Sequence, residues 1–310
     1  MKRFNIKNNY EKGKLIMKKL GKKLLVVTMV IMSCIGFMTG CGSGSSSTTS
    51  TSAGNDKSKD TLAAAKEKGV LTVASSNDAP FAFMDAKTNE FTGIDAEIIT
   101  EVAKRLGINK VEMKQIPFEN LLVELNNNTV DMVTDGMYVK DERKKLALFT
   151  NIWYKEGEAI VIPKDSKIAS KDDLKNATLG GQKGTAFLET AQKWQQDGSV
   201  KDVKVFGSQS ELMLAVNTGK VDACITDGMV AGYTLSQDSS LNLKILSPYK
   251  AETSGMIAAA VRKNDKALAD AVNEQIDEMK KDGTILKLLK KYGMNEDYFV
   301  SVEDGKASDK

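Results

Sequence analysis

The sequence predicts an α/β protein built as two lobes with a cleft between them, on three observations. Strand-like and helix-like segments alternate through residues 61–300 with few hairpin signals, the pattern of a parallel or mixed sheet with helices on both faces. The tetrapeptide Thr-Asp-Gly-Met occurs twice, at 134–137 and 226–229. Each copy closes the same run: Leu121-Leu122-Val123-Glu124-Leu125-Asn126 leads to Val130-Asp131, and Leu212-Met213-Leu214-Ala215-Val216-Asn217 leads to Val221-Asp222. Both read as helix, polar turn, strand, polar loop, so the chain repeats one local design. Ligands in such sheets bind beyond the carboxyl ends of the strands, which sets Asp135 and Asp227 facing one cleft, each beside a flexible glycine. An acid so placed suits a cationic group; the simpler reading is a structural turn at a strand end.

The elements follow in order. A short helix is expected over 62–68 and a first strand over 70–74, then a loop to Pro80 and an extended piece at 81–84. Ile94, Ile98, Val102 and Leu106 recur at four-residue steps on one helical face, with Asp95 expected to cap the start and Gly107 the end. Strand 111–116, helix 118–126 and strand 130–134 complete the first half. After Tyr154 come strand 159–163, helix 171–174, strand 178–181, helix 186–196, strand 203–206, helix 211–217 and strand 221–226. Helix 267–281 stops at Gly283 and restarts through 286–289.

The first forty residues are not expected to join the fold. Lys18, Lys19, Lys22 and Lys23 precede an apolar run at 24–38, followed by Met38-Thr39-Gly40-Cys41, the layout of a secretory signal, with Met17 a possible true start. An uncleaved anchor is the alternative, but the apolar run is short for a span. Residues 42–59 carry no large apolar side chain and read as a flexible tether. The expected organisation is signal 1–40, tether 41–60, lobe one from 61–156 and 254–300, lobe two from 157–253, and a tail at 301–310.

The whole-chain charge of +3 is carried by the signal: its nine Lys/Arg and one Glu leave −5 for the remainder. A mildly acidic exported domain argues against nucleic acid as a partner. There is no histidine, which removes His-based triads and the common zinc sets, and no phosphate-binding loop of the G-x-x-x-x-G-K-[ST] type. No metal or cofactor is expected. Of three cysteines, Cys34 leaves with the signal, Cys41 follows the small residues, and Cys224 lies in an apolar run as an inert core thiol, so no disulfide forms within one mature chain.

Several segments, in order, resemble the polar amino-acid substrate-binding proteins of ABC importers: Ala79-Pro80-Phe81; Phe91-Thr92-Gly93-Ile94-Asp95-Ala96-Glu97; Phe118 with Leu121, Leu122 and Leu125; Asp131 with Gly136-Met137; Glu142-Arg143-Lys144-Lys145 with Phe149-Thr150; Gly184-Thr185; Gly219-Lys220-Val221-Asp222-Ala223 with Asp227; and Asp282-Gly283-Thr284. The likeness spans about 70–293, and its specificity lies in the order of the pieces. It implies the type II periplasmic-binding fold, two lobes joined by two hinge crossings near 154–157 and 252–255. Met38-Thr39-Gly40-Cys41 resembles the bacterial lipobox, which implies a lipidated Cys41 as mature N-terminus and a monomer held on the extracytoplasmic face of the cell membrane, delivering a free amino acid to an ABC permease with its ATPase.

Independently of any family, a ligand carboxylate wants a planar bidentate donor and backbone N–H groups, and an ammonium wants a carboxylate and carbonyls. The resemblance gives the first task to Arg143 with Thr185, the second to Asp227 with the Gly136 carbonyl, and the side-chain wall to Phe118. The simpler readings are a surface arginine, an N-cap threonine, a chain-turning aspartate and a core phenylalanine. The chain departs from the family pattern at Tyr138 and Asp135, where small residues are usual, at Lys140-Asp141-Glu142-Arg143, which lacks a proline, and at Asp78, where relatives carry a stacking ring that Phe81 or Phe83 could replace. Asp135 either contacts a cationic ligand or holds Arg143 or a threonine hydroxyl; Gln182 and Thr226 are expected to discriminate side chains. The favoured ligand is a polar or cationic amino acid. A sensory module acting through a membrane partner is a second reading. An enzyme on the same fold, a dehydratase or lytic enzyme using Asp78 or Asp135, is a third that is not adopted.

Overall fold

The computed structural model describes residues 60–306. The expected signal, Cys41 and all but the last residue of the tether lie outside the described residues. Strand β1 (Val70–Ser75) follows helix α1 (Thr61–Lys68), and a small hairpin, β2 (Phe83–Met84) with β3 (Phe91–Thr92), precedes helix α2 (Ile94–Arg105). Helix α2 turns Ile94, Ile98, Ile99 and Val102 wholly inward, as its four-residue steps require. Its start differs from expectation. The N-cap is Gly93, at φ +120°, where a Cβ would meet the Phe81 carbonyl oxygen at 2.3 Å. Asp95 lies inside the first turn, buried, and accepts hydrogen bonds from the Gly136 N–H at 2.7 Å and the Tyr154 hydroxyl at 2.7 Å. It pins the loop after β5 instead of capping a helix.

Strand β4 (Lys110–Gln115), helix α3 (Leu121–Asn126), strand β5 (Met132–Val133), helix α4 (Asp141–Lys144) and strand β6 (Leu148–Phe149) complete the first pass. The long strand β7 (Tyr154–Pro163) then carries the chain into a second sheet with β8 (Thr178–Gln182), helix α5 (Ala186–Gln196), β9 (Asp202–Phe206), helix α6 (Gln209–Asn217), β10 (Ala223–Asp227), helix α7 (Gly228–Gln237) and β11 (Leu243–Ile245). The return is made by β12 (Ser254–Ile257), β13 (Ala260–Val261), α8 (Lys266–Lys281) and α9 (Thr284–Lys291). The strand order is β4-β1-β5-β13-β6 in the first sheet and β11-β7-β10-β8-β9 in the second, mixed in both. Among the described residues, no helix is long and apolar enough to cross a membrane.

The repeat seen in the sequence has a structural meaning. In the first sheet the Asp131 carboxylate accepts from the Thr72 N–H at 2.9 Å, while the Asp131 N–H donates to the Thr72 carbonyl at 2.8 Å. In the second, Asp222 and Thr178 do the same at 2.7 and 2.9 Å. Each aspartate registers the central strand against its parallel neighbour and so fixes where the following Thr-Asp-Gly-Met emerges. The two crossings between sheets pair with one another, β12 antiparallel to the start of β7, with Ser254 opposite Gly157 and Ile257 opposite Tyr154. They form a two-stranded ribbon joining the two lobes.

Candidate functional site

A crevice of about 310 Å³ lies between the lobes, beyond the carboxyl ends of β5, β8 and β10. On the first side, Gly136 adopts φ +59°, and a Cβ there would press into the Phe81 ring at 2.7 Å. Glycine is thus required twice, by conformation and by space. Beside it, Asp135 is 2% exposed and receives the Ser75 hydroxyl at 2.7 Å and the Ser76 N–H at 2.8 Å, with the Ser76 hydroxyl against the same oxygen. The Ser76 hydroxyl also stands 2.8 Å from Asp78 Oδ2. Burial pushes Asp135 well above the usual carboxylate range, helped by the nearby charge of Asp78, and burial raises Asp78 as well.

Arg143, on the four-residue helix α4, crosses towards the second lobe. Its guanidinium donates to the Tyr138 carbonyl at 2.8 Å and to the Gly184 carbonyl at 3.0 Å, and lies 5.4 Å from the centre of the Phe118 ring. Burial lowers its pKa, yet a guanidinium stays charged in proteins. Gly184 sits at φ +82°, and a Cβ there would come within 2.9 Å of Glu119 on the facing lobe. The rim is tied by Lys183 to Glu119 at 3.1 Å and by a close Lys140–Glu189 pair.

On the second side, Thr185 is the N-cap of α5. Its hydroxyl accepts from the Leu188 N–H at 3.2 Å and donates to the Gln182 carbonyl at 2.8 Å; its own N–H reaches that carbonyl too, at 3.3 Å. Gln182 is buried, donates to Asp78 across the crevice at 3.4 Å, and leaves its side-chain carbonyl oxygen without a partner. Asp227, 7% exposed at the end of β10, faces Glu156 of the hinge strand. Burial, then the neighbouring Glu156 carboxyl, hold Asp227 well above the usual range, and burial takes Glu156 to about 7.

Asp78, Phe118, Asp135, Gly136, Tyr138, Arg143, Gln182, Thr185 and Asp227, all expected in the site, line this crevice. Two expected residues do not. Thr226 is wholly buried and donates to Gln209 Oε1 at 2.8 Å, because neighbours along a strand point to opposite faces and Asp227 takes the cleft side. Phe83 belongs to the β2–β3 hairpin, with its ring 5.8 Å from that of Tyr233. The ring lining the crevice at that end is Phe81. Tyr138 is shared between the crevice and the hinge. Its hydroxyl donates to Glu156 Oε1 at 2.5 Å and so is committed to the hinge. Ala186 and Phe187, the first residues of α5, line the crevice without having been singled out. The Gly184-Thr185 turn before them was the available signal. Cys224 is buried, with its thiol pushed up to about 12 by burial, so it is no nucleophile. Among the described residues no group of acids and cysteines could hold a metal ion.

Comparison with known proteins adds three findings. Residues 71–295 match the profile of the bacterial extracellular solute-binding proteins, family 3. The chain is 30% identical to the L-cystine-binding protein TcyA of Bacillus subtilis over 274 residues, covering 87% of this chain and 97% of that one, and 31% identical to the arginine-binding extracellular protein ArtP of the same organism over 266 residues, covering 85% and 96%. Among solved structures it resembles an ancestral arginine-binding protein bound to arginine, at a TM-score of 0.66 and 33% identity, over 72% of this chain and 98% of the other.

Proposed function

Because the chain belongs to family 3 of the bacterial extracellular solute-binding proteins, we propose that its crevice captures a free amino acid, polar or cationic, and delivers it to an ABC importer. The observation that carries this reading is the convergence of one guanidinium and one buried carboxylate in a single crevice between two lobes, Arg143 from the first and Asp227 from the second. Arg143 takes the α-carboxylate, exchanging backbone carbonyl partners for a charged one, since a guanidinium fork bonds a carboxylate more strongly than a neutral oxygen. Asp227 takes the α-ammonium, which removes the repulsion between Asp227 and Glu156. A ligand touching both lobes stabilises the closed arrangement in which Arg143 reaches Gly184, and that differential contact is what closes the cleft. Phe118 and Phe81 wall the side-chain end. The lobes are 61–156 with 254–300, and 157–253.

The named relatives bind cystine and arginine and are binding proteins, which supports a carrier of amino acids and not an enzyme. The extracytoplasmic setting follows from the family. The finer arrangement is a lipoprotein: cleavage before Cys41, acylation of its thiol, and a monomer tethered to the membrane by 42–59. Two acyl chains suffice for stable anchoring. Labelling with a fatty-acid analogue tests this, and an unlabelled chain, or equal labelling in Cys41→Ser, contradicts it.

The test of the binding site is a thermal-shift panel of the common amino acids followed by calorimetry on the best. At least one is expected to bind at micromolar Kd or tighter, about 8 kcal/mol, raising Tm by mass action. Arg143→Ala is expected to weaken that binding by 100-fold or more, about 3 kcal/mol. Full affinity in Arg143→Ala rejects the site, and chemical conversion of the ligand on long incubation rejects the carrier.

A further inference from the structure

The α-carboxylate and α-ammonium of an amino acid occupy Arg143 and Asp227, and leave two acids of the same crevice without a ligand group. Resting on that reading, we propose that Asp78 and Asp135, bridged by Ser76 and completed by the Gln182 side-chain carbonyl, form a second cation subsite that takes the distal ammonium or guanidinium of a dibasic amino acid.

Three observations converge on this subsite. First, the residues lining the crevice include Asp78, Asp135 and Asp227 but a single cation, Arg143. The facing charges do not redress the balance, for Glu156 adds another carboxyl from the hinge and the rim lysines Lys140 and Lys183 are paired with Glu189 and Glu119. Asp95, beneath Gly136, is a further buried acid. A zwitterion with a neutral side chain leaves this excess standing, whereas a dibasic one brings one net positive charge.

Second, Gln182 is 1% exposed, and its Oε1 has no partner although its Nε2 reaches Asp78. A buried amide oxygen left unpaired is destabilising, and only a donor relieves it. The Asp78 and Asp135 carboxyl oxygens beside it are also acceptors when ionised. A multiply donating cation satisfies all three together, and no anionic or apolar side chain does.

Third, the hydrogen count is short. Ser76 Oγ lies 2.8 Å from Asp78 Oδ2 and closer still to Asp135 Oδ2, yet a hydroxyl carries one proton. Ser75 repeats the situation between Asp135 Oδ1 and the Ala82 carbonyl. With both acids ionised one of these close contacts lacks a hydrogen, so an unoccupied subsite retains a proton. An arriving ammonium or guanidinium supplies the missing donors and displaces it. Binding of a dibasic ligand therefore releases that proton, a signature that a purely structural Asp135 would not give.

Calorimetry at pH 7.5 tests the subsite with isosteric pairs: L-arginine against L-citrulline, and L-lysine against Nε-acetyl-L-lysine, with L-cystine as a ligand bearing two α-ammonium groups and two carboxylates. Arginine or lysine is expected to bind at least tenfold more tightly than its neutral partner, with proton release seen as a dependence of the heat on buffer ionisation. In Asp78→Asn and Asp135→Asn both the ratio and the release are expected to collapse. Because Asp135 anchors the 75–76 loop, Asp78→Asn decides the matter should Asp135→Asn fail to fold. Citrulline binding as tightly as arginine, cystine outbinding both dibasic ligands, or a ratio unchanged in Asp78→Asn overturns the proposal. Neutral amino acids that bind with no dibasic preference but lose affinity in Arg143→Ala sink the subsite and spare the carrier; binding of no amino acid sinks both.

Discussion

In the proposed site Arg143 acts by shape as much as by charge. Its guanidinium holds carbonyls of both lobes and lies over Phe118. A lysine offers a point charge without the fork. Arg143→Lys is therefore expected to keep the fold and weaken amino-acid binding by about 10- to 100-fold, between wild type and Arg143→Ala, as read by calorimetry. Tyr138 is its structural counterpart. The ring fills the space over the hinge so completely that a Cβ on Gly255 would lie 2.0 Å from Tyr138 Cδ2. Gly255→Ala should cost about 1–3 kcal/mol by overpacking, and Tyr138→Ala in the same chain should recover part of it; equal melting of wild type and Gly255→Ala would contradict this packing. The site was legible in the sequence where residue type and position agree: Arg143, Asp227 and Gly136 stand in recognisable local patterns. It was illegible where the outcome depended on which way a side chain turned. Thr226 was misplaced because adjacency to Asp227 is adjacency on opposite faces. Tyr138 lines the crevice as expected, but nothing local reveals that Glu156 claims its hydroxyl.

At the scale of elements, the repeated Val-Asp is the device that makes the two halves alike. Asp131→Ala and Asp222→Ala each leave a strand N–H, of Thr72 or Thr178, without its carboxylate. Each is expected to destabilise the protein by a similar amount, about 1–3 kcal/mol, in denaturant titrations, with little effect on binding. Loss from only one of the pair would show that the repeat is not structurally equivalent. Long periodic elements were readable: α5 falls at Ala186–Gln196 as its pattern predicts, and α8 lies within one residue of expectation. The short strands β6, β12 and β13 were not, because they are too short for an alternation to register and exist through their pairing partners. Helix α7 escaped notice as well. Its N-cap residue, Asp227, makes no side-chain capping bond, and the helix opens on Gly228 with a further glycine at 232 and no charged residue, so little in the sequence marks it.

For the whole molecule, the buried acids link stability to pH. Burial raises Asp95 to about 6 and Glu156 to about 7, and holds Asp135 and Asp227 higher than ordinary carboxylates. The ligand-free native state therefore binds more protons than the unfolded chain, and the stability so contributed is full below the ordinary carboxylate range and lost as pH rises through the raised values. Tm of the ligand-free protein should fall by several degrees between pH 5 and pH 7.5, and Glu156→Gln should flatten the slope; a Tm rising across that window would contradict the burial of these acids. Exposed acids with lowered values, such as Asp85 and Asp173, act only under more acidic conditions. In the proposed site a bound amino acid is expected to reverse the trend, since its ammonium requires Asp227 ionised. The two-lobed plan was visible in the repeat and the strand–helix alternation, but the pairing of β7 with β12 was not, because it joins segments a hundred residues apart. The most direct test is a crystal structure of the protein with its tightest amino acid. The α-carboxylate should lie within about 3 Å of the Arg143 guanidinium and the α-ammonium within about 3 Å of the Asp227 carboxylate; a ligand seated elsewhere, or with these ends exchanged, would contradict the assignment.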